Sequence, residues 1–354
     1  MKSVTASYKI IPLPNPNDKI AVLKHLETIG RTCYKSEDRI SEYSCMKFIK
    51  MLRDRKHWAM LEHYIFPFSV PKYIIDDILD PSRFTPDNVD LINRMPYIQC
   101  TYWEDAPYDD WKYMISASAT ALNYLWECEC YKNDYNAGLV KLCNFMMERY
   151  PELMKDPMGN RDIYLDNPKI RFIDREELKY MPRNVRLVHD SISVKFTVDR
   201  GVTNELVRHR PASWAQESTR YCNYSSGKFG NEITVIDPLF FPPETEDEKE
   251  SIVHRIWRRS MDRAQDAYND LIDCGAAPQQ ARTVLPQSTK AEITMTARMF
   301  EMRHFFNMRA DTPAHPQMQE VAYPLLEDLV ESEPNLFGDM AWKVDEYYKE
   351  DNNG

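Results

Sequence analysis

An α/β fold is predicted for this chain from three observations. Two segments, "SISVKFTV" (191–198) and "KAEITMTA" (290–297), alternate apolar and polar residues with the period of a half-buried strand. Several others carry apolar residues at helical spacing, most clearly "DEKESIVHRIWRRSMDRAQDAYNDLIDCG" (247–275). The two kinds of segment are interleaved along one chain of 354 residues, long enough for a large core or for two ordinary domains.

The elements follow in order. Residues 4–12 read as a short strand, and "DKIAVLKHLETIG" (18–30) as a helix burying Ile20, Leu23 and Leu26. Ser41 fits the cap of a second helix that runs through Met46, Ile49 and Leu52 toward His57. "LEHYIFPFSV" (61–70) reads as a strand. From 72 to 187 the chain becomes rich in Tyr, Trp, Asp and Pro, with helical patches near 110–131 and 137–149 and a loop over 156–172. This stretch is predicted to be a large, mainly helical insertion between two strands of one sheet, which leaves 1–71 and 188–340 as the core.

"VTNELVRHR" (202–210) follows the second of those strands as a short helix, with Thr203 as a possible cap. The long helix buries a stripe of Ile252, Ile256, Ala264, Ala267, Tyr268 and Leu271 and stops at Gly275. "APQQARTVLP" is a short helix closed by Pro286. "RMFEMRHFFNMR" (298–309) and "HPQMQEVAYPLLEDLVE" (315–331) are the last substantial helices, and 341–354 is a tail that frays at "KEDNNG".

Composition narrows the function. Net charge is -10 and the pI near 5.4, so no general nucleic-acid binder is expected, because neutralising phosphates needs surplus Lys and Arg. A local basic pocket for a small anion stays compatible with that charge. No run approaches a membrane span, and "MKSVTASYKIIPLP" lacks an apolar h-region, so a cytoplasmic protein without a signal peptide is expected. The eight cysteines include no CxxC pair and read as free thiols of a reducing compartment. With nine glycines and no GxGxxG or GxxxxGK[ST], neither a Rossmann nor a P-loop nucleotide site is expected. His57 and His63 flank "WAMLE", which is not HExxH, and no metal is expected there.

The stretch that stands out is "RHRPASWAQESTRY" (208–221). Capping of a helix C-terminus by cations accounts for one or two of Arg208, His209 and Arg210. It accounts less well for Ser213, Ser218 and Arg220, which add hydroxyls and a second guanidinium. Forked Arg donors with short hydroxyls suit a phosphate or pyrophosphate. Arg282, Arg303, His304 and Arg309 add cations later in the chain; each alone reads as a surface residue, except Arg309 at the end of an apolar helix. Ser218 lacks a GxSxG elbow, and Cys222 has no evident His partner for nucleophilic work.

These residues resemble the signature of the flavin-dependent thymidylate synthases, an Arg-His-Arg and, after seven intervening residues, a Ser. "KHWAMLEHYIFPF" resembles the family's early Gly-His-x-Ser-x-x-Glu-His segment, "FTVDRGVTNELVRHR" its strand and helix entering the signature, and "ARTVLPQSTKAEITMTARMFEMRHFFNMRADTPAHPQM" its C-terminal block. The likeness covers about half the chain, roughly 15–70 and 190–330.

The resemblance implies a central, mainly antiparallel sheet with flanking helices. It also implies reductive methylation of dUMP to dTMP, with FAD as cofactor and methylenetetrahydrofolate and NADPH as co-substrates, in a homotetramer with active sites at subunit interfaces. Glu205, Arg208, Gln216, Ser218, Arg220, Arg282 and Arg309 match nucleotide positions, with Arg309 and Ser218 as catalytic candidates. His57, Arg208, His209, Arg210, Arg298 and His304 match or neighbour flavin positions. The chain departs from the pattern at Ala59, where a hydroxyl is usual, at Glu205, and at Arg298 and Phe300 in "TARMFE". Another C5 one-carbon transfer, such as hydroxymethylation of a pyrimidine nucleotide, and a non-catalytic nucleotide-binding homologue stand as alternatives.

Overall fold

The computed structural model describes residues 1–79, 98–129, 137–155, 169–220, 222–224, 232–241 and 248–351. Strands β1 (Lys2–Val4) and β2 (Ser7–Ile11) precede helices α1 (Lys19–Thr32) and α2 (Ser44–Asp54). Next come β3 (Ile65–Ser69), α3 (Lys72–Leu79), β4 (Ile98–Tyr102), β5 (Tyr113–Ser118), α4 (Ala119–Glu129), α5 (Ala137–Arg149), β6 (Arg171–Phe172), α6 (Arg175–Lys179) and α7 (Arg183–His189). The last third holds β7 (Ser191–Asp199), α8 (Arg200–Leu206), β8 (Ser213–Gln216), β9 (Thr234–Ile236) and α9 (Glu248–Asp273). It ends with α10 (Pro278–Ala281), β10 (Lys290–Arg298), α11 (Met299–Arg309), α12 (Pro316–Ser332), α13 (Pro334–Phe337) and α14 (Ala341–Asp351). No helix among the described residues is long and apolar enough to cross a membrane.

The fold is α/β, with antiparallel sheets flanked by helices. The first sheet runs β2-β7-β10-β8, all antiparallel, with Lys290 opposite Asp199 and Thr296 opposite Ser213. Inward-facing Val194, Phe196 and Ile293 are buried against Phe305 and Phe306 of α11 and Leu325 and Leu326 of α12. β1 pairs with β9 in parallel.

The second sheet runs β4-β5-β3-β6. It was not foreseen: 113–118 fell inside an expected helical patch and is a strand, and the 72–187 stretch supplies three strands beside its helices. The reason is tertiary, because β3 completes its backbone hydrogen bonds with β5 and β6, both far along the chain. Packing therefore crosses the boundary drawn at 71. Phe66 and Phe68 of β3 meet Tyr150 and Phe172 at ring-centroid distances of 5.0 and 5.3 Å, inside one cluster with Leu23, Leu52 and Met146. The loop expected over 156–172 falls mostly outside the described residues.

Other expectations shift for local reasons. Ser41 does not cap α2; its N–H donates to the Ser44 hydroxyl at 2.8 Å. Asp199 rather than Thr203 caps α8, its carboxylate accepting from the Val202 N–H at 2.8 Å. In α9, Tyr268 and Trp257 are buried, whereas Ile252 and Ile256 of the expected stripe are 44% and 51% exposed. The last segment is helical through Asp351: Val344 is buried and Tyr347 stacks on Tyr323 at 4.0 Å.

Candidate active site

The site lies where the ends of α8, β8 and α11 converge. α8 stops at Leu206, so Arg208, His209 and Arg210 stand in the turn after it rather than on its last turn. The His209 N–H still donates to the Leu206 carbonyl at 2.9 Å, and the Arg210–Pro211 peptide is cis. This backbone turns Arg208 and Arg210 outward and His209 inward, where it is 4% exposed.

The His209 ring lies 5.0 Å from the His304 ring and edge-on to Phe305 at 5.3 Å. Its Nε2 is buried with no hydrogen-bond partner among the described residues. Burial, helped by the charge of His304, lowers the His209 pKa to about 4, which keeps the ring neutral at pH 7.

The expected nucleotide residues other than Arg208 are held by local contacts around α8, β8 and the turn that follows it. Arg309, closing α11, donates from Nη2 to the Glu205 carbonyl oxygen at 3.0 Å, and its Nη1 lies 3.6 Å from the Glu205 carboxylate. Glu205 shares α8 with Thr203, whose hydroxyl accepts from Gln216 Nε2 at 2.9 Å. Two residues on, the Ser218 N–H donates to the Cys33 carbonyl at 3.0 Å, and the Ser218 hydroxyl accepts from the Arg220 N–H at 3.3 Å. Arg282 reaches the same turn, donating from Nη1 to the Thr219 hydroxyl at 3.5 Å.

Cys33 joins this edge to a cavity of about 370 Å³ whose wall includes Tyr34, Lys56, His57 and Ala59. His57 is exposed, with Nδ1 3.3 Å from the Tyr34 hydroxyl. Lys56, standing where the family segment begins with Gly, has φ 58°. It closes α2 in a Schellman turn: the His57 N–H donates to Leu52 O at 2.9 Å and the Lys56 N–H to Arg53 O at 3.0 Å. Lys35 repeats the arrangement after α1 with φ 47°, the Ser36 N–H donating to Arg31 O at 3.2 Å and the Lys35 N–H to Thr32 O at 3.3 Å. Among the described residues these two are the non-glycine positions with positive φ; Lys56 lines this cavity and Lys35 follows its wall residue Tyr34.

Arg298, one of the expected flavin residues, is 2% exposed. Its Nη2 donates to the Ser116 carbonyl of β5 at 3.3 Å and its Nη1 lies 3.6 Å from Glu301. Arg298 ties the two sheets together. The sequence reading missed Lys343, whose Nζ donates to the Ala310 carbonyl at 3.1 Å directly behind Arg309. It also missed the ion pairs around Glu217 and Lys35; the one signal was that Glu217 is the sole acid in 208–221.

Fold and site together describe an α/β protein with a cationic, hydroxyl-lined edge suited to a small anion. Residues 183–335 match the family model of thymidylate synthase complementing protein, which agrees with the resemblance read from the signature. All the expected site residues except His57 lie within that match. The flavin-dependent thymidylate synthase of Pyrococcus furiosus is 30% identical over 166 residues, 45% of this chain and 65% of that protein. That of Pyrococcus abyssi is 29% identical over 169 residues, 46% and 66% respectively. The chain thus spans just under two-thirds of the curated relatives it matches. A crystal structure of a UMP/dUMP methylase from Streptomyces cacaoi, 23% identical over 42% of this chain and 69% of its own, superimposes with a TM-score of 0.35, too low to bear on fold or chemistry.

Proposed function

We propose that this chain is a flavin-dependent thymidylate synthase that methylates dUMP at C5 to give dTMP, taking the carbon from methylenetetrahydrofolate, with FAD bound and NADPH as reductant. The observation that carries this reading is a set of three contacts, Arg282 to Thr219, Gln216 to Thr203 and Arg309 to Glu205, that ties the 216–220 segment to Arg282 and α8 to both β8 and Arg309. It brings guanidinium donors to both the 216–220 segment and the end of α8, which suits a ligand with an anionic phosphate and a polar base.

In this reading the Ser218–Arg220 turn and Arg282 hold the phosphate. Arg309, always protonated and fixed by Glu205, stabilises the negative charge that develops on the pyrimidine. His57, Arg208, His209, Arg210 and His304 hold the flavin. The fit rests on the buried, unpartnered His209 Nε2 between two outward arginines, which leaves polar capacity that an anionic cofactor satisfies. The flavin when bound supplies hydride; the protein binds, orients and stabilises charge.

The working form is a cytoplasmic homotetramer. Phe300, His304 and Met308, exposed at every fourth residue of α11, give a face suited to a second copy. The deciding experiment is anaerobic incubation of the purified protein with dUMP, methylenetetrahydrofolate and NADPH, with the nucleotide product read by mass. A methylated product supports the reading. A hydroxymethylated product, heavier by one oxygen, replaces it, and unchanged dUMP with no bound flavin rejects it.

A further inference from the structure

Glu217 follows Gln216 and precedes Ser218, yet it faces away from both. Side chains alternate along a strand, so at the end of β8 Gln216 turns toward Thr203 and Glu217 into the protein. Its side chain is 1% exposed. One carboxylate oxygen accepts from Lys290 Nζ at 3.0 Å and from the Glu292 N–H at 3.3 Å, and lies 3.4 Å from Lys35 Nζ. The other accepts from the Tyr224 hydroxyl at 3.4 Å. Glu292 completes the group, 2.6 Å from Lys35 and 3.2 Å from Lys290 and also paired with Lys195. Burial pushes the Glu292 carboxyl up, but the ammonium groups of Lys290 and Lys35 outweigh it and hold the carboxyl well below the usual carboxylate range. Three lysines thus face two carboxylates in a largely buried cluster.

The backbone shows what this cluster holds. The Glu217 N–H still pairs with Glu292 O of β10 at 2.8 Å, and the next N–H, that of Ser218, switches to Cys33 O at 3.0 Å. The chain therefore leaves the sheet between Glu217 and Ser218. The side chain at that branch point is bonded both to β10, through Lys290 and the Glu292 N–H, and to the α1 end, through Lys35. Lys35 itself sits at a positive φ that disfavours side chains and that glycine takes without cost. An ammonium at that position, paired with the buried Glu217 and the partly buried Glu292, is a reason for a lysine there.

We propose that Glu217 is a positioning residue for the nucleotide phosphate. Clamped between Lys290 and Lys35, it sets where the Ser218–Arg220 turn leaves the sheet, and so where that turn meets the anion. This rests on the reading of dUMP as substrate. The test is calorimetric titration of the full chain with dUMP and with deoxyuridine, which lacks the phosphate, for wild type, Glu217→Gln, Lys35→Met and the double variant. Glu217→Gln should bind dUMP roughly tenfold more weakly, with deoxyuridine binding within about twofold of wild type. Lys35→Met should lose about threefold for dUMP, and the double variant no more than Glu217→Gln alone, because the two act through one contact.

Unchanged dUMP binding by Glu217→Gln, or equal losses for dUMP and deoxyuridine, overturns the role. So do fully multiplicative losses in the double variant. If Glu217→Gln does not fold, Lys35→Met carries the test, and absence of a dUMP-specific loss in it overturns the role. Wild type that binds no dUMP overturns the proposed function itself, a distinct result.

Discussion

Arg309 Nη2 donates to the Glu205 carbonyl oxygen at 3.0 Å, so the last residue of α11 is fastened to the last turn of α8. Among the described residues Arg309 Nε is buried without a partner, and the Lys343 ammonium holds the carbonyl of the next residue. A guanidinium fixed in this way costs little reorganisation when charge develops beside it. Losing one such preorganised donor slows chemistry by roughly a hundred- to a thousandfold. Arg309→Ala should fall in that range for dUMP turnover, and Arg309→Lys should stay badly impaired because it loses the planar fork. Flavin content, read from the visible absorbance ratio, should change little. Near-normal turnover by Arg309→Ala would reduce this residue to a tie between two helices.

The arginines flanking His209 are exposed, and His209 carries a buried nitrogen with no partner. His209→Ala with Arg210→Ala should purify folded but depleted of flavin. Full, tight flavin in that double variant would remove this turn from the cofactor site.

Arg298 and Glu301 pair between the sheets, 2% and 7% exposed. Removing one partner of a buried pair strands the other charge and costs about 3–5 kcal/mol. Arg298→Met should therefore unfold at clearly lower denaturant, with flavin and dUMP binding retained by the folded fraction. Loss of flavin at unchanged stability would mean that Arg298 acts at the cofactor rather than as a tie between the sheets.

Lys56 occupies the left-handed position of a Schellman turn, where a side chain costs roughly 1–2 kcal/mol that glycine does not incur. Lys56→Gly should raise the unfolding free energy by up to about that amount, less whatever the added chain entropy of glycine takes back. A variant less stable than wild type would mean the Lys56 side chain makes compensating contacts at the cavity rim.

Burial lowers the pKa of His25 and His209 to about 4 and of His63 and His189 to about 3. The sign follows from linkage. These groups stay neutral in the folded chain while the unfolded chain takes up protons below about 6.5. Their contribution is complete above pH 6.5 and is lost as pH falls toward 4. At pH 5 each such histidine costs up to about 2 kcal/mol. Urea midpoints measured from pH 7 to 5 should fall steadily, and a flat profile would mean that water reaches these rings.

Much of this was legible in the residues themselves. The alternation of "SISVKFTV" and "KAEITMTA" found β7 and β10, and helical spacing found α1 and α9, although in α9 Ile252 and Ile256 of the expected stripe are exposed while Trp257, outside it, is buried. The motif 208–221 pointed to the edge where Arg309, Glu205 and Gln216 gather. Tertiary structure decided what depends on a partner distant in sequence. β5 reads locally as helix-compatible and became a strand because β3 needed a neighbour. Arg298 looks like a free cation in the sequence and is consumed by Ser116, 182 residues away. Glu217 looks like one acid among polar residues, and only the meeting of β8, β10 and the end of α1 surrounds it with lysines. A sequence pattern records a residue's own environment along one element; which charge faces which is fixed only when separate elements pack, since burial makes pairing obligatory without saying with whom.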